Sequence, residues 1–311
     1  MHRQLEQILL EVEKAVTGKR DVLEKVLMAL LSEGHILLDD VPGVGKTNLA
    51  LAISRALGLK YRRIQFTPDV LPSDIVGFSM FDREAGAFRY VPGAVNDANL
   101  LLGDEINRTS SKTQSALLEA MEERQVTVDG EIHPLRRPFC VIATQNRVGT
   151  AGTQPLPHAQ MDRFLVQLTV GYPDFDSQME ILRRRRTENP LELVNQAADV
   201  ETVLSLQREA QNVSVHDDIL GYITRLCMAS RENPAVLLGI SPRGALSLSR
   251  MARSCALLRG RDYVVVEDVQ EIFTDVCAHR ILLSQKARME KRTAVDVTAE
   301  LLRTVKVPHG L

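Results

Sequence analysis

The run "LDDVPGVGKT" at 38–47 places two glycines, a lysine and a threonine where they can hold phosphate. Gly43 and Gly45 let the backbone turn its N–H groups inward, and a helix start behind them adds partial positive charge. Lys46 supplies a point charge, and the Thr47 hydroxyl can ligate Mg²⁺. The candidate loop is Val41, Pro42, Gly43, Val44, Gly45, Lys46, Thr47 and Asn48. One position misfits: the pattern G-x-x-x-x-G-K-[ST] wants glycine at position 40, where this chain carries Asp40, an anion beside a site for anions. Aspartate is among the few non-glycine residues that visit left-handed backbone geometry readily. Asp40 is therefore expected to be a tolerated variant whose carboxylate points away from phosphate, toward loop N–H groups.

Three further runs carry polar groups at places that suit phosphoryl chemistry. "LLLGDEINR" (100–108) is a buried-type strand ending in two acids. Asp104 would hold Mg²⁺, and Glu105 would polarise an attacking water as general base, since phosphoryl transfer asks mainly for positioning and charge stabilisation. "VIATQN" (141–146) ends with Asn146 placed to bond a γ-phosphate or a lytic water, although an asparagine there also simply starts a turn. Arg163 in "QMDRF" and Arg243 in "ISPRGA" each stand beside structure that could fix their direction. With Ser241 as N-cap and Pro242 at the first helical position, Arg243 falls in a first turn, where it opposes the helix dipole. A ligand anion is one motive for that placement; an ordinary surface arginine has the same letters.

The elements that would position these groups alternate short apolar runs with helical periodicity from residue 20 to about 172, the pattern of a parallel sheet covered on both faces. The candidate strands are 35–38, 62–66, 99–104, 139–144 and 164–170. Leu49, Ala50, Ile53, Ala56 and Leu57 form one face of the helix after the glycine loop, Gly58 stops it, and Ser110 or Ser111 caps another running to about Glu123. Leu5, Ile8, Leu9, Val12 and Val16 mark an amphipathic first helix rather than a signal peptide. After "GYPDFD" (171–176) only helices are expected, at about 176–186, 199–211, 216–230, 242–258 and 267–283, which puts a domain boundary between residues 172 and 173.

Bulk properties narrow the class. A net charge of −2 argues against a chain whose main task is neutralising phosphate backbones. No apolar run approaches the roughly 18 residues of a membrane span, so a cytoplasmic protein without membrane insertion is expected. Cys140, Cys227, Cys255 and Cys277 lack C-x-x-C spacing and sit among apolar neighbours, which reads as buried reduced thiols.

Together these runs, in this order, resemble an AAA+ ATPase, and more closely the MoxR group of that superfamily. The likeness covers nearly the whole chain and rests on "IQFTPDVLPSDIVG" (64–77), "DEINRTSSKTQSALLEAMEERQVTVDG" (104–130), "IATQN" with "PLPHAQMDRFL" (142–165) and "SPRGALSLSRMARSCALLRGRDYV" (241–264). It implies a P-loop α/β nucleotide-binding domain with a parallel five-stranded sheet (1–172), a smaller all-helical lid (173–311), and a ring, usually a hexamer, with ATP and Mg²⁺ at each subunit interface. It also implies roles. Lys46 and Thr47 match the first nucleotide motif, Asp104 and Glu105 the second, and Asn146 the sensor. Arg243 matches the lid arginine that would touch the γ-phosphate of its own subunit, and Arg163 the finger that reaches a neighbour's ATP. Arg108 and Arg147 are alternatives for that trans contact, and Gly18 in "VTGK" (16–19) lies where the family approaches adenine.

Asp40 for glycine, Gly103 for alanine, Arg147 for proline and His158 for glutamate depart from the family pattern without removing a catalytic group. The segments 78–93 and 126–138 resemble two hairpins that in a ring would face the pore; Asp129-Gly130 is a hairpin turn signal in its own right. The resemblance implies remodelling or maturation of client proteins, with a partner bearing a von Willebrand factor A domain. A magnesium-chelatase-type subunit or a nucleic-acid motor is the alternative, the motor weakened by near-neutral charge.

Overall fold

The computed structural model describes residues 1–145, 156–184 and 189–308. Strands up to residue 168 are β1 (Ile36–Asp39), β2 (Tyr61–Gln65), β3 (Gly77–Asp82), β4 (Ala87–Pro92), β5 (Leu100–Asp104), β6 (Gln125–Val128), β7 (Glu131–Pro134), β8 (Cys140–Gln145) and β9 (Val166–Leu168). Five of them form one parallel sheet in the order β2-β5-β8-β1-β9. β1, β5 and β8 are buried on both faces, which is why they read as unbroken apolar runs. β2 lies at the edge, where Arg62 and Arg63 keep an open strand from pairing with another chain.

Helices cover both faces: α1 (Arg3–Glu13), α2 (Arg20–Leu31), α3 (Lys46–Ala56), α4 (Pro72–Val76), α5 (Ser111–Glu123) and α6 (His158–Met161). Alternate strand residues point opposite ways. Ile36, Leu38, Leu100, Leu102 and Ile142 join α1, α2 and α3 in one core, whereas Leu37, Leu101, Val141 and Ala143 pack with α5 in another. The expected faces of α1 and α3 are the buried ones, and Ser110 is the cap of α5, its Oγ accepting the Thr113 N–H at 3.3 Å. β3–β4 and β6–β7 are the two expected hairpins; Asp129 and Gly130 make the second turn at φ 50° and 84°. Tyr90 of β4 stacks on His133 of β7 with ring centroids 3.7 Å apart, packing the hairpins against each other.

Beyond residue 173 come α7 (Phe175–Arg184), α8 (Val200–Asn212), α9 (Asp217–Glu232), α10 (Pro242–Leu258), α11 (Val266–Cys277), α12 (Gln285–Met289) and α13 (Ala294–Thr304). Among the described residues this region is helical apart from a single bridge between Ser214 and Tyr263 and one antiparallel ribbon, β10 (Val236–Leu238) with β11 (Leu282–Leu283), which the sequence did not suggest. The helix expected over 267–283 stops at Cys277 because a 3₁₀ turn, Ala278–Arg280, leads into that ribbon. α13 was also missed, although Thr293 and Asp296 form a capping box at its start.

The cysteines Cys140, Cys227, Cys255 and Cys277 are free and buried, and burial pushes the Cys140 thiol up to about 12 and the Cys227 thiol to about 11. They are packing groups rather than nucleophiles. Among the described residues, no helix is long and apolar enough to cross a membrane.

Candidate active site

β1 delivers the chain to Asp39 and Asp40, both buried, and α3 begins at Lys46 with Gly45 as its N-cap. Gly43 and Gly45 take φ of 84° and 91°, left-handed values that suit glycine. A Cβ on either would meet nothing within 4 Å, so conformation rather than crowding selects glycine, and the space before the loop is open. Val41, Val44, Thr47 and Asn48 are half-buried, whereas Pro42, Gly43 and Gly45 are exposed. Lys46 is buried, and its Nζ donates to the Asp40 carbonyl at 3.2 Å.

The Asp40 carboxylate accepts the N–H groups of Val41 at 2.9 Å, Val170 at 2.6 Å and Gly171 at 2.7 Å. It joins the end of β1 to the chain leaving β9. Its direction is as expected but the reason differs: Asp40 does not have a positive φ. The anion is tolerated because backbone donors meet it, not because the backbone needs a left-handed residue. Gly18, at φ 70°, has Ser177 against it; a Cβ would lie 2.0 Å from the Ser177 Oγ. Lys19 Nζ donates to the Tyr172 carbonyl at 2.9 Å, so residues 16–19 close on the chain next to Gly171 and hence next to Asp40.

β5 ends at Asp104, in register with Gln65 of β2. The buried Thr144 of β8 donates its hydroxyl to Asp104 Oδ1 at 2.6 Å and accepts the Glu105 N–H at 2.9 Å, so one side chain orients both acids. Asp104 Oδ2 also pairs with Arg63 at 2.8 Å. Glu105 leaves the strand at φ 58°, and its Oε2 accepts from Gln65 Nε2 at 3.1 Å and Arg108 Nη1 at 2.8 Å. Arg108, an alternative for the trans contact, is thus tied to the acid of its own chain. Gly103 faces Phe66, whose ring would stand 3.0 Å from a Cβ there, so the ring takes the room an alanine would need. Asn146 and Arg147 lie outside the described residues; β8 is described as far as Gln145, which pairs in register with Asp39.

Sequence reasoning missed Thr144, Gln65 and Arg63. A hydroxyl inside an apolar run was a usable signal for Thr144, but polar residues on an edge strand look like solvent contacts. Among the described residues, no group of three or more His, Cys, Asp or Glu side chains is placed to hold a metal by itself. The Thr47 hydroxyl and Asp104 carboxylate are hard oxygen donors, a set that fits Mg²⁺ carried in with phosphate rather than an all-protein cage.

Arg163 and Arg243 stand at the opposite ends of the strands, by their amino termini. Arg163 lies just before β9, whose Val166 pairs with Ile36 at the start of β1. Arg243 lies in the first turn of α10, with Ser241 as N-cap and Pro242 after it, as the spacing predicts. Glu122 of α5 bridges them: its Oε2 meets Arg163 Nε at 3.0 Å, and its Oε1 pairs closely with Arg243 Nη2. With His35 they line a cavity of about 150 Å³. His35 precedes β1 and the nucleotide loop follows it, so the length of β1, about 13 Å at roughly 3.3 Å per residue, separates the arginines from the loop. Arg243, expected beside the γ-phosphate of its own subunit, here stands away from the loop of its own chain. Its anion here is Glu122, because α10 is docked at the far end of the strands, where Ser241 Oγ donates to Asp162 Oδ2 at 2.9 Å.

A parallel sheet with a glycine loop on β1, paired acids on β5 and a helical lid is the architecture of an AAA+ ATPase. Residues 35–166 match the "ATPase family associated with various cellular activities (AAA)" and residues 228–301 the "AAA lid domain". The chain is 45% identical to the "Uncharacterized protein YeaC" of Bacillus subtilis, over 99% of this chain and 96% of that one. It is 40% identical to the "Chaperone MoxR1" of Mycobacterium tuberculosis, over 98% and 82% of the respective chains. A crystal structure from Cytophaga hutchinsonii superposes with a TM-score of 0.91 at 36% identity, covering 99% of this chain and 96% of that one. The chain belongs to the MoxR-type AAA+ ATPases.

Proposed function

We propose that this protein binds ATP with Mg²⁺ on residues 41–48 and hydrolyses it between the subunits of a ring, using the energy to remodel or mature partner proteins. The observation that carries this reading is the division of the parts: loop and acids at the carboxyl ends of the parallel strands, an arginine pair at the amino ends. A ring joins one subunit's arginines to the next subunit's loop. On this reading Arg243, like Arg163, acts on the neighbour's γ-phosphate rather than on its own.

The loop N–H groups, the α3 N-terminus and Lys46 would bind the β- and γ-phosphates, with Gly18 beside the base. Thr47 and Asp104 would hold Mg²⁺, which supplies charge neutralisation at the phosphate oxygens. Glu105 takes a proton from water as its oxygen attacks the γ-phosphorus, the bond to the β–γ bridging oxygen breaks, and ADP and phosphate leave. Asn146 would orient that water. Arg163 and Arg243 stabilise charge on the transferring group.

Lys46→Ala should abolish ATP binding, and Glu105→Gln should keep binding but lose turnover by at least a hundredfold. Arg163→Ala should behave like Glu105→Gln alone, yet regain turnover when mixed with Lys46→Ala subunits; normal hydrolysis by Arg163→Ala alone would place the finger elsewhere. The name of the mycobacterial relative supports a chaperone role. Capture of clients, including a von Willebrand factor A partner, on a Glu105→Gln ring held in ATP tests it; nucleic-acid stimulation of turnover would count against it. The division into 1–172 and 173–311 is part of the same proposal.

A further inference from the structure

The arginine pair is anchored to the lid through a buried polar cluster. Arg280, in the turn after α11, has a side chain only 1% exposed. Its Nε binds Asp162 Oδ1 at 2.7 Å, and its Nη2 donates to the carbonyls of Asp162 at 3.1 Å and Phe164 at 2.6 Å. Its Nη1 donates to the Leu165 carbonyl at 3.1 Å. One lid cation therefore grips the backbone on both sides of Arg163. The other oxygen of Asp162 accepts the hydroxyl of Ser241, which caps the helix that carries Arg243. A cation this buried tolerates little displacement from its acceptors.

Glu122 completes the arrangement. Two neighbouring guanidinium groups repel, and a carboxylate with one oxygen on each holds them at a common spacing. Its nearest approach to Arg163 is at Nε and to Arg243 at the terminal Nη2, so one carboxylate fixes where both planar forks stand.

We propose that Glu122 and the Asp162–Arg280 pair are positioning residues for the interfacial arginines. Glu122 sets the spacing of Arg163 and Arg243, and Asp162–Arg280 ties the Arg163 segment to the lid so that both guanidinium groups meet the neighbour's γ-phosphate as one unit. This rests on the reading that those arginines act across subunits.

The test uses the full chain assembled with ATP. Glu122→Ala should lower kcat at least tenfold while changing KM for ATP less than twofold, with ring mass by light scattering and Tm retained. Glu122→Gln keeps the volume and an acceptor and should lose kcat about threefold; it carries the same test if the alanine variant melts early. Arg280→Lys keeps the charge without the fork and should lower kcat in the same way. The deciding readout is rescue in mixed rings: Lys46→Ala subunits should restore turnover to Arg163→Ala subunits, and the double variant Lys46→Ala with Glu122→Ala should not. Equal rescue by single and double variants, or unchanged kcat in Glu122→Ala, overturns the proposal. No rescue by Lys46→Ala itself removes the trans reading on which it rests.

Discussion

Three backbone N–H groups converge on the Asp40 carboxylate from two parts of the chain. Hydrogen bonds to a charged acceptor are worth about 1.5–3 kcal/mol each, and donors left buried without a partner cost a similar amount. Asp40→Gly should therefore destabilise the protein by about 3 kcal/mol in urea unfolding, less if water replaces the carboxylate, and should leave ATP affinity within about twofold. A tenfold rise in affinity, about 1.4 kcal/mol, would show instead that Asp40 repels the nucleotide. At this scale the sequence is informative where chemistry dictates residue type: the loop glycines, Lys46 and the two acids could be named before any coordinate. Thr144, Gln65 and Glu122 could not be assigned their roles, because each meets its partner only through strand register or helix packing between distant segments.

His35 shows how an element can carry a pH dependence. Standing just before β1, it accepts the Val141 N–H on Nδ1 at 3.0 Å, so Nε2 carries the proton and donates to the Met121 carbonyl at 3.0 Å. Both bonds hold a neutral ring between β1, β8 and α5, and protonation would break the first. Burial pushes its pKa from 6.5 down to about 4, and burial together with the adjacent Arg280 holds His279 well below its ordinary value. The unfolded chain thus binds protons that the fold refuses: stability is complete above about pH 6.5 and falls as pH drops toward 4. His35 should contribute a loss of about 2 kcal/mol by pH 5, with His279 adding in the same direction. Urea midpoints measured from pH 7.5 to 5 check this, and a flat profile would contradict it. The sheet around His35 was legible because buried parallel strands are long apolar runs between glycine, cap and turn signals. The β10–β11 ribbon was not, since strands of three and two residues cannot show alternation.

The proposed division at 172–173 marks a change of class in the chain, yet no gap in the core accompanies it. One apolar cluster runs from Leu5 and Leu23 through Leu38 and Ile142 to Leu226, Phe273 and Leu301. Polar contacts cross the same boundary: Gln207 Nε2 donates to the Leu30 carbonyl at 2.8 Å, Ser32 and Ser254 share a hydrogen bond of 2.8 Å, and the His2 N–H reaches the Leu258 carbonyl at 2.9 Å. Buried apolar area is the dominant favourable term in folding, so neither side can lose the other without exposing the α2 surface and its lid partners. The full chain should therefore unfold in one calorimetric transition, and a fragment of residues 1–172 should lack a cooperative transition and bind apolar dyes. Two separated peaks, or a 1–172 fragment melting near the temperature of the whole chain, would make the lid an independent body. A lid fused to the core in this way also suits the contact proposed across subunits, because Arg243 can keep a fixed spacing from Arg163 only if α10 does not swing freely.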